Sequence, residues 1–556
     1  MAETSKIPLI VVTPVDPEPP SEDEQTYYYY GLPSQPRLID RSSTRGWRNQ
    51  HLTGGPKAGP HHQPMKRQLL PVGSHPILEH WNKGMSGTLV PGIMRFIRTL
   101  NWSTIDCVRL GYQNAPERPK LSDGHVILLI SVDPQANPSW DQAFQAALHC
   151  KGVLVQHGIS DVHCEVKEGR WCLSADPTVE DQNAPRLGPL EGTGALDPGW
   201  LDASLSESIC ADIRPLSGDR TGTKGVYLQL NEGKPAKRML LTCRHVAVPP
   251  SSNINDNQAV QGIYHDLPII QPTEDTISTF RQRSEDFLAK FSSNKARLDE
   301  LAKQKGGLAR SQKKERKEVI HYLDLVSKKV ELAKSFEQPS SRVIGRTIFA
   351  PPLHPVPASF PSRSHWFCDW ALIDLDQGKH LTKVSSLPNS VCLTLSKEER
   401  SKLQQKFTSE GLILPPGKDG TVNLAGIIPE DEIWKTNGTK PLTVGKFGGA
   451  THLTYGVANN AKSFVSHYFD DRRSVSEEWC IIGLHAAFSN LGDSGACVWD
   501  AVNWRMGGMI TSGNTGWRSG SETPRELDLT YATPMERLVK DIRQNGFHVS
   551  VPAAKK

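Results

Sequence analysis

The chain has 556 residues, of which 37% are hydrophobic and 22% are charged, and its formal net charge at pH 7 is +4. At roughly 100–200 residues per domain, this length predicts two to four structural units. No apolar run approaches the ~20 residues that span a bilayer, so no membrane span is expected. The apolar start, Ile7–Val12, is too short for a secretory signal. We therefore predict a cytoplasmic protein, with the nucleus as the alternative location, and not a secreted one.

The ten cysteines of the chain include no Cys-x-x-Cys pair, which argues against a zinc ribbon and against a thioredoxin-type redox site. Because disulfides are rare in reducing compartments, we expect the thiols to be reduced and mostly buried. The histidines His125, His149, His157 and His163 also lack the spacing of metal ligands. The sequence predicts neither a metal site nor a cofactor.

Residues 1–78 have the composition of a disordered tail. They run from an acidic, proline-rich start through four tyrosines, Tyr27–Tyr30, into a segment rich in Gly, Pro, His and Arg. Such a stretch buries too little apolar surface to offset the entropy of ordering it. The tyrosine run is a candidate recognition or phosphorylation site, although an unremarkable tail is the interpretation we favour.

Residues 79–175 predict a small α/β module, and the Pro- and Gly-rich residues 176–204 predict a linker after it. An apolar run of strand length, His125–Val132, is followed by Ser139 and Gln142, which form the capping box of a helix. A strand-like alternation comes next. The module has no phosphate loop and no paired carboxylates, so we expect it to bind or dock a partner that the sequence does not name.

Residues 276–339 predict a helical hairpin with a coiled-coil-like seam. Mostly apolar positions spaced alternately four and three residues apart fill two runs, 280–301, where Ser284 and Asn294 are the polar exceptions, and 319–333. Gly306 and Gly307 lie between the runs, so the two helices are expected to fold back on each other. The same spacing would also suit a protein partner that binds at the hairpin.

The tip of this hairpin is basic. Residues 303–318 contain seven basic and two acidic residues, a local charge of +5 that exceeds the net charge of the whole chain. A solvated helix tip is the interpretation we favour. A nuclear-import or nucleic-acid patch is the alternative, but the aromatic residues that would stack on bases are absent, which argues against a nucleic-acid partner.

Short β-like runs lie on both sides of the hairpin, in 205–275 and 340–390. The segment 391–440 predicts a short helix from a second capping box. Residues 441–533 are rich in Gly and Thr with many short apolar runs, which is typical of a barrel or a sandwich. A final helix is predicted over 534–546.

Three short segments carry residues suited to nucleophilic catalysis. An apolar strand delivers His245 at its end, Asp369 begins a buried strand, and Ser494 lies in a tight turn that begins at Gly492. A serine hydroxyl is a weak nucleophile until an imidazole accepts its proton, and that imidazole needs a carboxylate on its other nitrogen. Backbone N–H groups must also face the developing oxyanion, and those of Gly492 and Ser494 are suited to this.

The three segments resemble a chymotrypsin-like (trypsin-like) serine peptidase. The turn Gly492–Gly495 matches the family's nucleophile signature, and the order His, Asp, Ser is also that of the family. The pattern Val-x-Lys-x-Gly at 444–448 resembles the opening hairpin of the second barrel, and Gly508–Gly513 resembles the substrate-binding strand. The resemblance covers roughly residues 205–275 and 340–546.

The resemblance implies a fold and an activity. The fold class would be multi-domain α+β: a chymotrypsin-like double antiparallel β-barrel with the helical hairpin inserted in its first half, together with the small α/β module and the disordered N-terminus. The activity would be that of a serine endopeptidase acting on protein or peptide substrates, with His245 as base, Asp369 as orienting carboxylate and Ser494 as nucleophile. The alternative is a catalytically idle protease fold that binds protein partners through the hairpin and the module.

The resemblance also implies a specificity pocket. Phe488, six residues before the serine, would lie at its base, with Thr511 and Gly513 on the adjoining strand. An aromatic side chain at the base cannot pair with Lys or Arg, so we predict an uncharged residue of modest size before the scissile bond.

Three alternatives stay open in the sequence. Asp374 and Asp376 compete with Asp369 for the role of the carboxylate, and His485 competes with His245 for the role of the base. No Arg-Ile-Val-Gly-like activation site precedes the first barrel. We therefore predict that Asp493, beside the nucleophile, is satisfied by a group other than a newly freed N-terminal amine.

Overall fold

The structure is a computed structural model that describes residues 18–44, 47, 66–113, 124–173, 212–217, 220–231, 237–249, 252, 254–262, 265–353, 366–380, 382–392, 421–435, 441–469, 472–484, 486–516 and 526–552. Over these residues the protein is a mixed α and β structure with large sheets and modest helical content. One sheet has twelve strands, a second has nine and a small third has two. No helix in the described part of the chain is long and apolar enough to cross a membrane.

The N-terminal part combines four helices with six strands. In chain order these are α1 Glu22–Tyr27, β1 Leu38–Arg41, β2 Arg67–Leu70, α2 Leu78–Trp81, α3 Leu89–Ile97, β3 Trp102–Tyr112, β4 His125–Val132, α4 Trp140–Gln156, β5 His163–Glu168 and β6 Arg170–Leu173. The predicted strand–helix–strand unit is confirmed, because β4 and β5 pair in parallel on either side of α4. The capping box at the start of α4 forms as predicted between Ser139 and Gln142.

The prediction of a disordered tail over residues 1–78 is corrected for 18–44 and 66–78. Tyr28 and Tyr29 are buried, and their hydroxyls donate hydrogen bonds of 2.7 and 2.8 Å to the Glu165 carboxylate on β5. The physical reason is long-range, since the polar partner of this segment lies more than 130 residues away on β5 and its apolar neighbours include Val108 and Ile127. Composition reports only local tendency. Residues 1–17 and 48–65 lie outside the described residues.

The nine-stranded sheet is a half-barrel and contains the predicted insertion. Its elements and those inserted in it are β7 Asp212–Pro215, β8 Gly222–Thr223, β9 Val226–Leu230, β10 Lys237–Thr242, α5 Arg244–Ala247, β11 Val260–Gln261, β12 Pro268–Ile270, α6 Glu274–Lys305, α7 Arg310–Ser335, β13 Val343–Ala350 and β14 Ala371–Leu375. The small sheet pairs β15 Ser390–Cys392 with β16 Thr421–Asn423. The capping box predicted at Ser396 lies outside the described residues.

The two inserted helices form the predicted hairpin. The chain turns at Gly306 and Gly307, both with positive φ, and returns along α6. Apolar side chains of both helices meet in a seam of their own, which includes Phe291, Leu298, Val319, Val326 and Tyr322. Because β12 and β13 pair directly with each other, the hairpin is inserted between neighbouring strands. A protein or nucleic-acid partner at the hairpin stays a prediction.

The third part of the chain forms a ring-like sheet. Its elements are α8 Glu430–Trp434, β17 Thr443–Gly448, β18 His452–Phe469, β19 Arg472–Gly483, β20 Cys497–Asp500, β21 Met506–Thr515, β22 Leu527–Pro534 and α9 Met535–Gln544. The strand that follows α9, β23 Val549–Ser550, pairs with β9 and is the ninth strand of the half-barrel. Six of these strands pair in the order β18, β17, β20, β21, β22, β19, and β19 pairs with β18 to close the ring. The helix α9 turns its apolar face, which includes Leu538, Val539 and Ile542, into the core of the half-barrel.

The N-terminal part is joined to the ring through two strands. β3 pairs with β18, and β6 pairs with β21, so the twelve-stranded sheet runs from the α/β unit into the ring without a break. A network of buried polar groups lies at this junction. Asp106 on β3 accepts hydrogen bonds of 3.0 Å from the Tyr531 hydroxyl and 2.5 Å from Ser463, and Lys167 approaches Asp528 at 3.7 Å. The sequence did not predict this merger.

Candidate active site

His245 and Asp369 come together because two strands of the half-barrel are adjacent. β10 pairs with β14 in a register that places Thr242 opposite Ala371. The chain then enters the short helix α5, which carries His245, while Asp369 lies two residues before β14 begins. Both side chains are buried, with 2% of His245 and 0% of Asp369 exposed. The pairing register therefore brings together two residues that are far apart in the sequence.

The three predicted catalytic residues form one chain of hydrogen bonds. His245 Nδ1 lies 2.5 Å from Asp369 Oδ2, and His245 Nε2 lies 2.8 Å from Ser494 Oγ. The backbone N–H of His245 also donates to Asp369 Oδ1 at 3.0 Å. The carboxylate thus holds both the ring and the backbone of the histidine, which fixes the direction of the imidazole. Such an arrangement can move a proton from the serine hydroxyl to the imidazole.

The serine turn depends on two glycines with positive φ. Gly492 has φ of +98° and Gly495 has φ of +91°, a region that L side chains rarely adopt. At Gly495 a Cβ would also lie 2.3 Å from the carbonyl oxygen of Thr223. Thr223, on β8 of the half-barrel, donates its N–H to the Ser494 carbonyl at 2.7 Å. The half-barrel therefore contributes to the position of a nucleophile carried by the ring.

The backbone N–H groups of Gly492 and Ser494 are available for an oxyanion. Within the described residues, neither donates to a protein acceptor, whereas the N–H groups of Asp493 and Gly495 do. The Gly492 carbonyl accepts a hydrogen bond from the Thr223 hydroxyl at 3.0 Å, which fixes the orientation of this part of the turn. Two neighbouring unpaired donors beside a nucleophile are the kind of site that stabilises developing negative charge.

Asp493, between these two residues, is satisfied by a lysine of the same chain. Its carboxylate lies 3.0 Å from Lys446 Nζ, and both side chains are fully buried. The Thr451 hydroxyl donates to it at 2.6 Å, and the N–H groups of Ala450 and Asn490 donate at 3.0 Å. Despite burial, which acts to raise it, the pKa of Asp493 is lowered by Lys446 and these donors. The predicted alternative partner for Asp493 is thus Lys446.

The rival carboxylates lie elsewhere. Asp374 pairs with Lys237 at 2.6 Å near the surface, and Asp376 accepts from the Gly378 N–H at 2.9 Å. Neither of these contacts involves His245. The rival base, His485, lies outside the described residues.

Cys243 is a neighbour that the sequence analysis did not single out. Its thiol, the His245 ring and the Asp369 carboxylate lie close enough to be considered as metal ligands. This donor set does not suit a metal ion, since burial raises the pKa of the Cys243 thiol well above its usual value and a thiolate is the form that binds metal. The imidazole is moreover already engaged on both nitrogens.

The three predicted pocket residues are buried within the ring. Phe488 lies in an apolar cluster that also contains Ala496, which follows the nucleophile turn, and Ile510 of β21. Thr511 and Gly513 lie on β21, and the Thr511 carbonyl oxygen lies 3.3 Å from Ser494 Oγ. The strand that was expected to adjoin the pocket therefore reaches the nucleophile.

A buried cluster near Asp369 was also missed. The Phe367 ring stacks on His467 with centroids 4.4 Å apart, and Trp171 of β6 packs edge-on against the same histidine at 4.6 Å. His467 Nε2 lies 2.8 Å from Ser476 Oγ, which donates to Glu478 at 2.6 Å. Burial raises the pKa of Glu478 to about 8 and lowers the pKa of His467 to about 3. No motif links these residues in the sequence.

Comparison with known proteins assigns no family to the chain. The chain matches no protein-family model, and no curated protein matches its sequence.

Proposed function

We propose that the protein is a serine endopeptidase with a chymotrypsin-like double-barrel fold. The observation that carries this proposal is the continuous hydrogen-bonded chain Asp369–His245–Ser494, with two unpaired backbone N–H groups beside the serine. The half-barrel supplies the base and the carboxylate, and the ring supplies the nucleophile. This division supports the proposed fold, because the nucleophile and its base then meet where the two sheets adjoin.

In the proposed reaction, His245 Nε2 takes the proton of Ser494 as Oγ forms a bond to the carbonyl carbon of the peptide. The Asp369 carboxylate at Nδ1 stabilises the imidazolium and keeps the ring in the tautomer that accepts on Nε2. The imidazolium then gives its proton to the leaving amine as the C–N bond breaks. Water next attacks the carbonyl carbon of the acyl-enzyme as His245 takes its proton. The bond between that carbon and Ser494 Oγ then breaks, Oγ receives the proton from the imidazolium, and the acid product leaves.

The carbonyl oxygen becomes an oxyanion during both attacks, and the N–H groups of Gly492 and Ser494 are placed to stabilise it. Removal of one such donor in a serine peptidase typically costs about 10²–10³ in rate. The pair Lys446–Asp493 acts as a positioning contact in this scheme, since Asp493 is the residue between the two donors.

The expected substrate is a peptide with an uncharged residue of modest size before the scissile bond. The apolar ring of Phe488 lies near the base of the proposed pocket, and it cannot form an ion pair with a lysine or arginine side chain. A peptide library should therefore show cleavage after small uncharged residues and little cleavage after arginine or lysine.

A fluorophosphonate probe tests the proposed nucleophile. The native protein and the Ser494→Ala variant are incubated with the probe for hours, and the adduct is located by peptide mass spectrometry. We expect an adduct at Ser494 that is absent from the variant. Slow labelling is expected, because the side chain of Ser494 is 0% exposed. Absence of the adduct, both here and in the loosened variants of the next subsection, would contradict the proposal and favour a catalytically idle scaffold.

A further inference from the structure

The strand β21 has two different neighbours along one of its edges. On one side β22 accompanies it along most of its length. On the other side β20 pairs only with its first part, Met506–Met509, and β6 pairs with its last part, Ser512–Thr515. The β6 strand comes from the N-terminal part of the chain, more than 300 residues before β21. It therefore fills an edge that the ring by itself leaves open.

The direction of β6 leads toward the nucleophile. The two strands are antiparallel, with Arg170 opposite Thr515 and Leu173 opposite Ser512. The next residue of β21 in that direction is Thr511, whose carbonyl oxygen lies 3.3 Å from Ser494 Oγ. A peptide that adds to this edge in the same direction would thus carry its backbone toward Ser494. Addition of an extended peptide to an open sheet edge is a general mode of peptide binding.

Side-chain contacts hold β6 on this edge. Arg170 Nε lies 3.1 Å from Asp133, at the end of the neighbouring strand β4. The Arg170 carbonyl accepts from the Asn514 side chain at 3.3 Å. Trp171 packs edge-on against both Phe367, at 5.7 Å between centroids, and His467. The strand is thus attached to β4, to β21 itself and to the segment that leads into Asp369.

Resting on the proposed function, we propose that β6 occupies in cis the strand position of an extended peptide substrate. The chain is then autoinhibited, and a peptide must displace β6 before it reaches Ser494. The burial of both His245 and Ser494 agrees with a site that is closed to solvent.

The test compares labelling of Ser494 in the full chain with β6 held and with β6 loosened. Trp171→Ala removes the packing on Phe367 and His467, and Arg170→Ala removes the ion pair with Asp133, whereas Trp171→Phe is the matched control that keeps an aromatic ring. Rates are measured with two probes, a small fluorophosphonate and a tetrapeptidyl phosphonate with alanine next to phosphorus. Circular dichroism checks that each variant is folded. If Trp171→Ala does not fold, Arg170→Ala is used as the loosened variant.

We expect the peptidyl probe to react at least about tenfold faster with Trp171→Ala than with the native chain, since loss of an aromatic contact of about 1.4 kcal/mol corresponds to tenfold. Trp171→Phe should stay within about twofold of the native rate. Equal peptidyl rates in native and loosened chains would overturn the inference and leave the proposed function standing. Absence of any Ser494 adduct with either probe in every variant would instead overturn the proposed function.

Two further measurements address β6 directly. Binding of the peptidyl phosphonate should increase hydrogen exchange at the amides of Arg170–Leu173, and unchanged exchange would contradict displacement. Intact-mass analysis of the native chain and of Ser494→Ala supplies the second measurement. A Ser494-dependent cut on the C-terminal side of Leu173 would show that β6 enters the site as a substrate does.

Discussion

The hairpin and the N-terminal part are two additions to the candidate catalytic sheets, and they are built in opposite ways. The hairpin buries its apolar side chains in its own seam, and its charges pair largely within it, as between Arg316 and Asp299 at 2.7 Å. The N-terminal part instead shares a sheet with the ring and buries polar groups against it. We therefore expect changes within the self-contained hairpin to leave the candidate site unaffected, and changes in the shared sheet to alter it.

The largest effect on stability and on Ser494 labelling is expected from a substitution of Lys446, in the ring. Lys446→Met leaves the Asp493 carboxylate buried without its ion pair, a change that typically costs about 3–5 kcal/mol. We also expect Ser494 labelling to fall by about 10² or more, because the turn between the two oxyanion donors loses its anchor. Lys462→Met, which removes an ion pair to Glu477 on the same ring, is the matched control. Equal labelling in the two variants would show that the Lys446 contact is only structural.

The junction between the N-terminal part and the ring should be nearly as sensitive. Asp106→Ala removes a buried acceptor shared by Tyr531, Ser463 and Thr104. Three hydroxyls would then lack their acceptor, and we expect a loss of about 3–5 kcal/mol in the free energy of unfolding. Chemical denaturation followed by tryptophan fluorescence measures it. A loss below about 1 kcal/mol would mean that the shared sheet contributes little to stability.

The hairpin should respond locally. Leu298 is fully buried in the seam, and Leu298→Ala is expected to cost about 2–5 kcal/mol of local stability. Hydrogen exchange should accelerate in α6 and α7, while the Ser494 labelling rate stays within about twofold of the native rate. A parallel loss of labelling would contradict the independence of the hairpin from the site.

The cluster next to β6 should make stability depend on pH. Burial raises the pKa of Glu478 to about 8 from an ordinary value of 4.5, so the folded state binds its proton more tightly than the unfolded state. The stability from this group is full below about pH 4.5 and is lost as pH rises toward 8. The melting temperature of Glu478→Gln should therefore exceed that of the native chain by more at pH 9 than at pH 5. Glu331→Gln, on the exposed surface of the hairpin, should show no such trend.

The smallest effect is expected at the exposed ion pairs of the hairpin. Arg316→Ala removes a contact with Asp299 that lies largely in solvent, and such pairs contribute little. The melting temperature should not change measurably in physiological salt. A clear decrease would contradict this prediction and would mean that the hairpin is stabilised by its own ion pairs as well as by its apolar seam.

Much of the local structure could be predicted from the sequence because its causes are local. The seam of the hairpin follows from the spacing of Phe291, Leu298 and their neighbours, and α4 follows from a cap at Ser139. His245, Asp369 and Ser494 were found because each lies on a short recognisable segment, and the structure brings all three together. Each of these features can be predicted because it depends only on residues close together in the sequence.

Other features were decided only by the tertiary structure. Three contacts join segments that carry no common motif. They are the hydrogen bonds of Tyr28 and Tyr29 to Glu165, the pairing of Lys446 with Asp493, and the pairing of β6 with β21. An open strand edge or a buried carboxylate accepts any partner of suitable chemistry, so the partner is selected by the three-dimensional arrangement of the strands. The sequence by itself therefore determined the local elements and the three catalytic candidates. Which strand pairs with residues 512–515 of β21, and which lysine pairs with Asp493, depended on long-range pairing of backbone and charge.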